Sequence, residues 1–299
     1  MSGSADRGSR RLLVTGADTF WGGRVAQAFE ADPDVEVVVG IGARDPSVPL
    51  ERTDFVRVSD HSYSTVQRIV SATGVDTIVH TGVMVDSTLG SSRLHDVNVI
   101  GSLNLLAAAG APGSTVRALV VKSSGLVYGA TSRNLSRRWS PSLFGYDPLL
   151  QFIEQGDVVR ALIHAVRSAT PGTFNVGAPG RVPLSEVAEI CGTRLVPLPP
   201  WKAELVSAPF TRVGAFDLPP ELVMLLRYGR GMDTKRFAET GFDYRFSSVE
   251  AIHAFARAIR LRKGAGRPAE SYTYQEDLEH FLRHANSVAH RADEPSTPA

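Results

Sequence analysis

Short apolar runs alternate with amphipathic segments over the first 122 residues of the chain. Five runs have the length and composition of buried β-strands: residues 11–15, 35–41, 55–58, 77–81 and 117–122. Three segments between them have apolar residues at helical spacing: residues 20–31, 63–73 and 93–109. Strands that alternate with helices connect through right-handed crossovers into a parallel sheet. The pattern therefore predicts a doubly wound, Rossmann-like α/β fold.

The regular alternation stops near residue 129. Residues 130–147 are polar and aperiodic, which predicts a loop. Helical spacing returns at 156–168, and the apolar run 173–177 predicts one more strand. Three later segments are predicted to be helical: residues 184–190, 219–227 and 249–262. The second half of the chain is therefore expected to be mostly helical.

These patterns predict two folded regions and two polar ends. A Rossmann-like dinucleotide-binding domain is expected over residues 11–180, and a smaller C-terminal region on the substrate side over 181–285. Residues 1–10 and the tail 286–299 are polar and are predicted to be disordered.

Composition restricts the classes of partner. The net charge is +1, from 32 basic and 31 acidic residues, so electrostatic capture of nucleic acid is not expected. The single cysteine, Cys191, excludes a disulfide within the chain and is typical of a reducing cytoplasm. No segment reaches the roughly 18 apolar residues of a membrane span, and no His/Asp/Glu spacing suggests a metal. The sequence predicts a soluble cytoplasmic protein without a membrane partner.

A glycine-containing turn joins the first predicted strand to the first helix. Gly16 permits the tight turn, and Gly22 allows the helix to lie close to the sheet. The helix N-terminus offers N–H groups and a positive dipole end to a pyrophosphate. Thr19 stands where a Gly-x-x-Gly-x-x-Gly turn has its second glycine, and its side chain either crowds the phosphate or turns aside. The turn predicts binding of NAD or NADP, with a ligand-free strand–helix turn as the alternative.

The end of the second strand bears on the choice of cofactor. An acidic residue there usually binds the ribose 2′-hydroxyl of NAD, but Gly42 occupies that position. Arg44 follows, and a nearby arginine accommodates the 2′-phosphate of NADP. Alternatively, Arg44 is a solvated surface residue and Asp45 binds the ribose. The cofactor therefore stays open between NAD and NADP.

The chain resembles the extended short-chain dehydrogenases/reductases, the NAD-dependent epimerase/dehydratase group. The resemblance runs in order through segments over most of the chain: Thr15–Gly22, Ser59–Asp60, Val75–Gly82, Asn98–Leu106, Val121–Gly129, Leu150–Val158, Phe174–Gly177 and Asp233–Phe242. Each segment alone is a modest match, but their order and spacing together are fairly specific. The family usually oxidises and reduces again a sugar attached to a nucleotide. The resemblance thus implies a nucleotide sugar or a related alcohol or ketone as substrate.

The turn and the resemblance together give a set of candidate site residues. The residues expected at the cofactor are Gly16, Asp18, Thr19, Phe20, Trp21, Gly22, Arg44, Asp60, His80, Thr81, Gly82 and Asn98. Phe20 and Trp21 are expected either to pack beneath the helix or to flank the cofactor. His80 is expected to be a hydrogen-bonded core histidine rather than an acid or base. Ser124 and Tyr128 are weak catalytic candidates, since a strand-end serine and a packed tyrosine are common structural residues.

The family's catalytic spacing, Tyr-x-x-x-Lys, is absent from this sequence. In the family the tyrosine takes a hydroxyl proton while the cofactor takes a hydride, and the lysine lowers the pKa of the tyrosine. The residues four positions before the four lysines are Ala118, Leu198, Gly231 and Ile259. Relatives place this motif, its helix and the next strand where the sequence here has only residues 130–147. The simplest interpretation is that this segment has been lost.

Loss of the segment leaves three hypotheses for the function. The first is a member of the family that binds NAD or NADP with weak or lost activity. The second is a non-catalytic dinucleotide-binding module that regulates or scaffolds a partner. The third is a degraded paralogue that folds poorly. Family dimers commonly use the missing helix, which puts the usual dimer interface in question and exposes the sheet face that the helix would cover.

Overall fold

A computed structural model describes residues 10–58, 62–84, 91–123, 138–199 and 220–264. It also describes five positions near the C-terminus: 278, 281, 282, 285 and 287. The chain divides into two compact units. Unit 1 comprises residues 1–123, 165–169 and 270–299, and unit 2 comprises residues 124–164 and 170–269. This division differs from the boundary near residue 180 that the sequence suggested, because unit 2 already begins at Ser124.

Unit 1 contains a five-stranded parallel sheet. Its strands are β1 (Arg10–Thr15), β2 (Val35–Gly42), β3 (Thr53–Arg57), β4 (Thr77–His80) and β5 (Ala118–Val121). They lie in the order β3-β2-β1-β4-β5, and every neighbouring pair is parallel. The helices are α1 (Phe20–Glu30), α2 (Tyr63–Thr73), α3 (Ser91–His95) and α4 (Gly101–Ala109). The prediction of a Rossmann-like parallel sheet with flanking helices is confirmed.

The apolar runs form the sheet because their side chains can be buried on both faces. Leu12, Leu13 and Val14 of β1 are fully buried, as are Val39 and Ile41 of β2. Helices α2 and α4 contribute a further set of buried side chains to the same cluster: Val66, Ile69, Val70, Leu105 and Ala108. Burial on both faces fixes the sheet register, and the register fixes which residues follow each strand at its carboxyl end.

The predicted helix 93–109 differs from the observed one in its course. Helix α3 begins two residues earlier, at Ser91, and the segment Asp96–Ile100 between α3 and α4 is π-helical. A π-helical turn adds a residue to the local repeat, and such turns are frequent at functional sites. Apolar spacing does not distinguish this turn from regular helix. The wider turn contains Asn98, one of the predicted site residues.

Glu30, at the end of α1, holds the connection between β2 and β3. Its buried carboxylate accepts hydrogen bonds from the backbone N–H groups of Glu51, Arg52 and Thr53 at 2.8–2.9 Å. It also accepts one from the Thr53 hydroxyl at 2.7 Å. A single oxygen atom, Oε1, receives all four donors, so one side chain fixes the entry into β3.

Asp32, in the turn after α1, binds an arginine from a distant part of the sequence. Residues 165–169 include the last turn of α5 (Gln155–Ser168), and Arg167 Nη2 lies 2.7 Å from Asp32 Oδ2. The Asp32 side chain is only 5% exposed. Burial opposes ionisation of Asp32, but hydrogen bonds from Arg167 and from the Asp34 N–H outweigh it and lower its pKa. Asp32 therefore stabilises unit 1 as a carboxylate.

Described residues near the C-terminus complete the core of unit 1. Phe281 is fully buried in the cluster of the sheet and α2. The Ser287 N–H donates to Asp54 Oδ2 at 2.9 Å, and the Ser287 carbonyl accepts from Arg11 at 2.8 Å. The predicted disorder from residue 286 is therefore wrong at Ser287, because two groups of the sheet bind its backbone. The other residues of the predicted tail, like residues 1–9, lie outside the described ranges.

Unit 2 combines short strand pairs with helices. Strand β6 (Trp139–Leu143) pairs in parallel with β9 (Arg194–Leu198), and β7 (Leu149–Leu150) pairs antiparallel with β8 (Val182–Pro183). The helices are most of α5, α6 (Leu184–Cys191), α7 (Pro220–Tyr228), α8 (Lys235–Ala238) and α9 (Ser248–Gly264). Among the helices of the described residues, none is long and apolar enough to cross a membrane.

Two predictions for unit 2 are wrong. Residues 130–147 are not all loop, since 139–143 form β6, while 130–137 lie outside the described residues. Residues 173–177 form no strand. Phe174 and Val176 instead pack partly buried against Phe237 and Phe242, so their apolar character reflects a side-chain cluster rather than a strand pairing. Helices α5, α6, α7 and α9 were predicted to within about two residues, whereas the short α8 was not predicted. The predicted Ser247–Glu250 capping box is present, with the Ser247 N–H donating to Glu250 at 2.8 Å.

Substitution Glu30→Ala is expected to lower the free energy of unfolding by about 2–4 kcal/mol, because it leaves buried backbone donors without an acceptor. Urea denaturation of the full chain measures this loss. Glu36→Ala is the matched control, since the half-exposed Glu36 makes only a surface ion pair with Arg11. It should cost less than about 1 kcal/mol. Equal losses for the two variants would contradict the role of Glu30.

Substitution Asp32→Asn is expected to flatten the acid side of the stability–pH curve. A carboxylate with a lowered folded-state pKa contributes fully above its unfolded-state pKa, about 3.9. The contribution is lost as pH falls below that value through the folded-state pKa. Chemical denaturation from pH 3 to 7 should therefore show a smaller loss toward acid for the variant than for the wild type. Asp34→Asn should keep the wild-type slope, because Asp34 binds Asp32 through its backbone N–H.

Candidate functional site

The candidate site lies where β1, β2 and β4 end. The strand order is β3-β2-β1-β4-β5. The chain runs from β1 to β2 and β3 on one side of β1 and then crosses to β4 and β5 on its other side, so the direction of the connections changes at β1. Open parallel sheets bind ligands in the crevice at this change of direction, outside the carboxyl ends of the strands. The turn after β1, residues 16–19, and the segment after β4, which begins at Thr81, both lie at this edge.

Two glycines bring helix α1 against the end of β1. Gly16 has φ of 72°, and a Cβ there would lie 2.7 Å from the Gly82 Cα. A Cβ on Gly22 would lie 2.0 Å from the Gly16 carbonyl oxygen and 2.6 Å from Thr81 Oγ1. No side chain fits in either space. The positive φ of Gly16 agrees with the tight turn predicted there, and the contacts of Gly22 agree with the predicted close packing of the helix on the sheet.

Thr19 turns its side chain back into the turn. Its hydroxyl donates to the Gly16 carbonyl at 2.7 Å and accepts from the Gly22 N–H at 3.1 Å. Thr19 is thus the N-cap of α1, with extended backbone dihedrals of −86° and 160°. Of the first-turn N–H groups of α1, those of Phe20 and Trp21 have neither a helical partner nor this cap. They are the donors that the turn offers to an anion.

Asp18 and Arg44 meet at the end of β2. A Cβ on Gly42 would lie 2.5–2.7 Å from the carboxylate and Cβ of Asp18. Asp18 Oδ2 accepts from the Arg44 N–H at 3.3 Å and lies 3.6 Å from Arg44 Nε. The Asp18 side chain is 9% exposed, whereas that of Arg44 is 77% exposed. Asp45, the alternative ribose ligand, instead pairs with Arg57.

His80 and Thr81 support the site from within. The His80 ring is buried, with Nδ1 2.5 Å from Thr15 Oγ1 and Nε2 3.2 Å from Ser102 Oγ. The Thr81 hydroxyl donates to the Thr15 carbonyl at 2.8 Å. These contacts agree with the prediction that His80 is a hydrogen-bonded core residue. Both residues connect β1 to β4 below the edge where a ligand would lie.

Asn98, on the π-helical segment, fixes the chain that follows β4. Its amide oxygen accepts from the Met84 N–H, and its amide nitrogen donates to the Met84 carbonyl, both at 2.8 Å. This pair of bonds satisfies both backbone polar groups of Met84, at the end of the segment 81–84. Asn98 therefore positions the backbone of the site, which is a role that its sequence position did not specify.

Lys122 also lies at the site, although the sequence showed only that no tyrosine stands four residues before it. It follows β5, and its N–H donates to the His80 carbonyl at 2.8 Å. Its ammonium lies 5.5 Å from the centre of the Trp21 ring, and burial lowers its pKa.

Phe20 is 40% exposed and meets Trp21 edge to face, so the expectation that Phe20 packs beneath the helix is wrong. Gly22, which has no side chain, is the residue of α1 that lies against the end of β1.

Three predicted site residues lie outside the described part of the chain: Asp60, Ser124 and Tyr128. Their proposed roles stay predictions. The described residues contain no group of three or more His, Cys, Asp or Glu side chains that could hold a metal ion.

Unit 2 contains a cavity that the sequence did not predict. Its volume is about 390 Å³, and its lining includes the guanidinium-bearing residues Arg181, Arg227 and Arg230 and the rings of Tyr146 and Tyr228. The lining carboxylate, Asp147, accepts from the Ser185 N–H at 2.9 Å and from its hydroxyl at 2.6 Å. The lining thus contains three guanidinium groups and one carboxylate. Only the fold brings these arginines together, since Arg181 is 46 residues from Arg227 in sequence.

The comparisons with known proteins agree with this geometry. Residues 12–142 match the model of the NAD dependent epimerase/dehydratase family. Uncharacterised proteins of Mycobacterium tuberculosis and Mycobacterium bovis are each 26% identical over 318 residues, covering 84% of this chain and 84% of the relative.

Solved structures of similar fold include two UDP-glucose 4-epimerases. UDP-glucose 4-epimerase from Thermotoga maritima, with UDP-glucose, has a TM-score of 0.61 at 16% identity, over 84% of this chain and 99% of that one. UDP-glucose 4-epimerase from Thermus thermophilus, in complex with NAD, has a TM-score of 0.57 at 18% identity, with the same coverage. At these identities the structures show a shared fold. The family match spans the sheet of unit 1, from β1 to β5.

Proposed function

We propose that the chain binds a nicotinamide dinucleotide at the turn between β1 and α1. The observation that carries this proposal is the contact between Gly22 and the Gly16 carbonyl, which leaves no room for a side chain on either glycine. This contact presents the N–H groups of Phe20 and Trp21 at the positive end of α1, where a pyrophosphate binds favourably. The NAD complex of the Thermus epimerase, which shares the fold, supports the same cofactor class.

Each residue of the site has a distinct part in this proposal. A bound nicotinamide would supply the chemistry of hydride acceptance and donation. Gly16 and Gly82 allow the ligand to approach the backbone, and Asn98 holds the segment after β4. Lys122, with its ammonium against Trp21, adds positive charge beside the turn. Together these groups favour a dianionic pyrophosphate.

We further propose a nucleotide sugar as the substrate class, bound by the arginine-lined cavity of unit 2. Three arginines surround a space of about 390 Å³, which is within the usual size of a small-molecule site. One guanidinium group can donate two parallel hydrogen bonds to a phosphate, and an aromatic ring can pack against the face of a base or a sugar. The Gly231 backbone has no side chain, and a Cβ there would lie 2.2 Å from Arg181 Nε, so this glycine makes room for the arginine.

Turnover is proposed to be weak or lost. The sequence has no tyrosine four residues before any of its four lysines, so the family's proton acceptor has no counterpart at the expected spacing. This absence also favours the second candidate, a non-catalytic module that binds a dinucleotide and regulates a partner. Chromatographic analysis of UDP-glucose after incubation with the protein and NAD separates the two, because only the enzyme converts the sugar nucleotide. The product is measured rather than NADH, since a sugar that is oxidised and then reduced again returns the hydride and leaves no net NADH.

Cofactor binding is expected to raise the stability of the purified full chain. A ligand at about 100 times its dissociation constant adds roughly 2.7 kcal/mol. Thermal unfolding with millimolar NAD, NADH, NADP or NADPH should therefore show a clear increase in Tm with at least one oxidised and reduced pair. ADP should give a smaller increase and adenosine almost none, because adenosine lacks the pyrophosphate. A cooperatively unfolding sample without any shift would contradict the proposed site.

UDP is expected to bind the unit 2 cavity. Arg230→Gln should lower the affinity for UDP by about 10-fold or more, since a charge-assisted hydrogen bond contributes about 1.5–3 kcal/mol. Isothermal titration calorimetry of the full chain measures both affinities. Arg257→Gln, on the exposed side of α9, is the matched control and should bind UDP like the wild type. Equal binding by all three proteins would place UDP elsewhere and contradict the substrate proposal.

A further inference from the structure

Asp18 occupies the space that a side chain at the end of β2 would otherwise fill. An ideal Cβ on Gly42 would be 2.5 Å from Asp18 Oδ1, 2.6 Å from its Cγ and 2.7 Å from its Cβ. The two features thus depend on each other, because only a glycine at 42 admits the Asp18 side chain. A carboxylate is therefore present at the end of β2, although it comes from the turn after β1 rather than from the strand itself.

The surroundings hold this carboxylate as an acceptor. The Arg44 N–H donates to Oδ2 at 3.3 Å, and the Arg44 Nε lies 3.6 Å from the same oxygen. Arg44 is 77% exposed, so this ion pair is weak and leaves the guanidinium largely in solvent. The Asp18 side chain, at 9% exposed, is the more firmly placed of the two.

The other acidic candidate at this edge is already engaged. Asp45 forms an ion pair with Arg57 on the adjacent strand β3. Asp18 is consequently the carboxylate that lies over the end of β2 and also belongs to the turn between β1 and α1. A dinucleotide on that turn places its adenosine ribose toward the end of β2.

From this geometry we infer that Asp18 is the residue that selects NAD over NADP. The inference rests on the proposed dinucleotide site. An ionised carboxylate accepts hydrogen bonds only, so it binds a ribose hydroxyl but repels a 2′-phosphate. The exposed arginine next to it, which alone would suggest NADP, neutralises part of the Asp18 charge and does not reverse the preference.

Calorimetric titration of the full chain with NAD and NADP tests this assignment. The wild type should bind NAD about tenfold or more tightly than NADP. Asp18→Asn keeps the shape but removes the charge, so it should weaken NAD and strengthen NADP, reducing the ratio by about tenfold. Asp45→Asn is the matched control and should keep the wild-type ratio. Arg44→Gln should also retain NAD preference.

The possible results separate the inference from the function on which it rests. Absence of binding of both cofactors by the wild type overturns the proposed function. A wild type that binds NAD, with an unchanged ratio in Asp18→Asn, overturns the role of Asp18 alone. A wild-type preference for NADP that Arg44→Gln removes assigns selection to Arg44 and overturns the inference. Should Asp18→Asn fail to unfold cooperatively, the wild-type and Arg44→Gln ratios decide by the same criteria.

Discussion

The close approach of helix α1 to the end of β1 is the constraint on which the rest of the site depends. With the Gly16 carbonyl 2.0 Å from where a Gly22 Cβ would be, the helix can begin directly over the strand. The N-terminus of α1 then lies at the carboxyl edge of the sheet, directly after the turn that follows β1. The same approach places Thr81 Oγ1 against the helix, and the Thr81 hydroxyl in turn binds β1. The absence of a side chain at Gly22 therefore allows the turn, the N-terminus of α1 and the end of β4 to lie together.

Departures from the family's usual sequence are compensated within the same turn. Thr19 replaces a glycine, yet its hydroxyl bonds to the Gly16 carbonyl and the Gly22 N–H, so the added side chain caps the helix. Gly42 replaces an acidic residue, and the Asp18 side chain fills the space that it leaves. The turn therefore accommodates a threonine at 19, and the end of β2 has a carboxylate beside it although residue 42 is a glycine.

The sheet was predictable from sequence because burial on both faces produces continuous apolar runs, as in β1 and β2. The short strands of unit 2 were not. Pro141 in β6 and Pro197 in β9 argue against strands, but a two-stranded sheet has only edges, where a proline is tolerated. The glycines of the turn were also predictable, since local strand–helix context defines them. The place of Asp18 over Gly42 was not, because it depends on how the turn crosses a neighbouring strand.

The burial of Phe281 and the bonds of Ser287 have a consequence for the order in which the protein is made. The sheet of unit 1 is built from residues 10–121, but its core also includes Phe281, which is 160 residues further along the chain. At about 5–20 residues per second, roughly 10–30 s pass between the synthesis of β5 and that of Ser287. During that interval the cluster of the sheet and α2 lacks one of its fully buried side chains, Phe281. The core of unit 1 is therefore complete only after the whole of unit 2 has been synthesised, because residues 124–164 and 170–269 precede Phe281 in the chain.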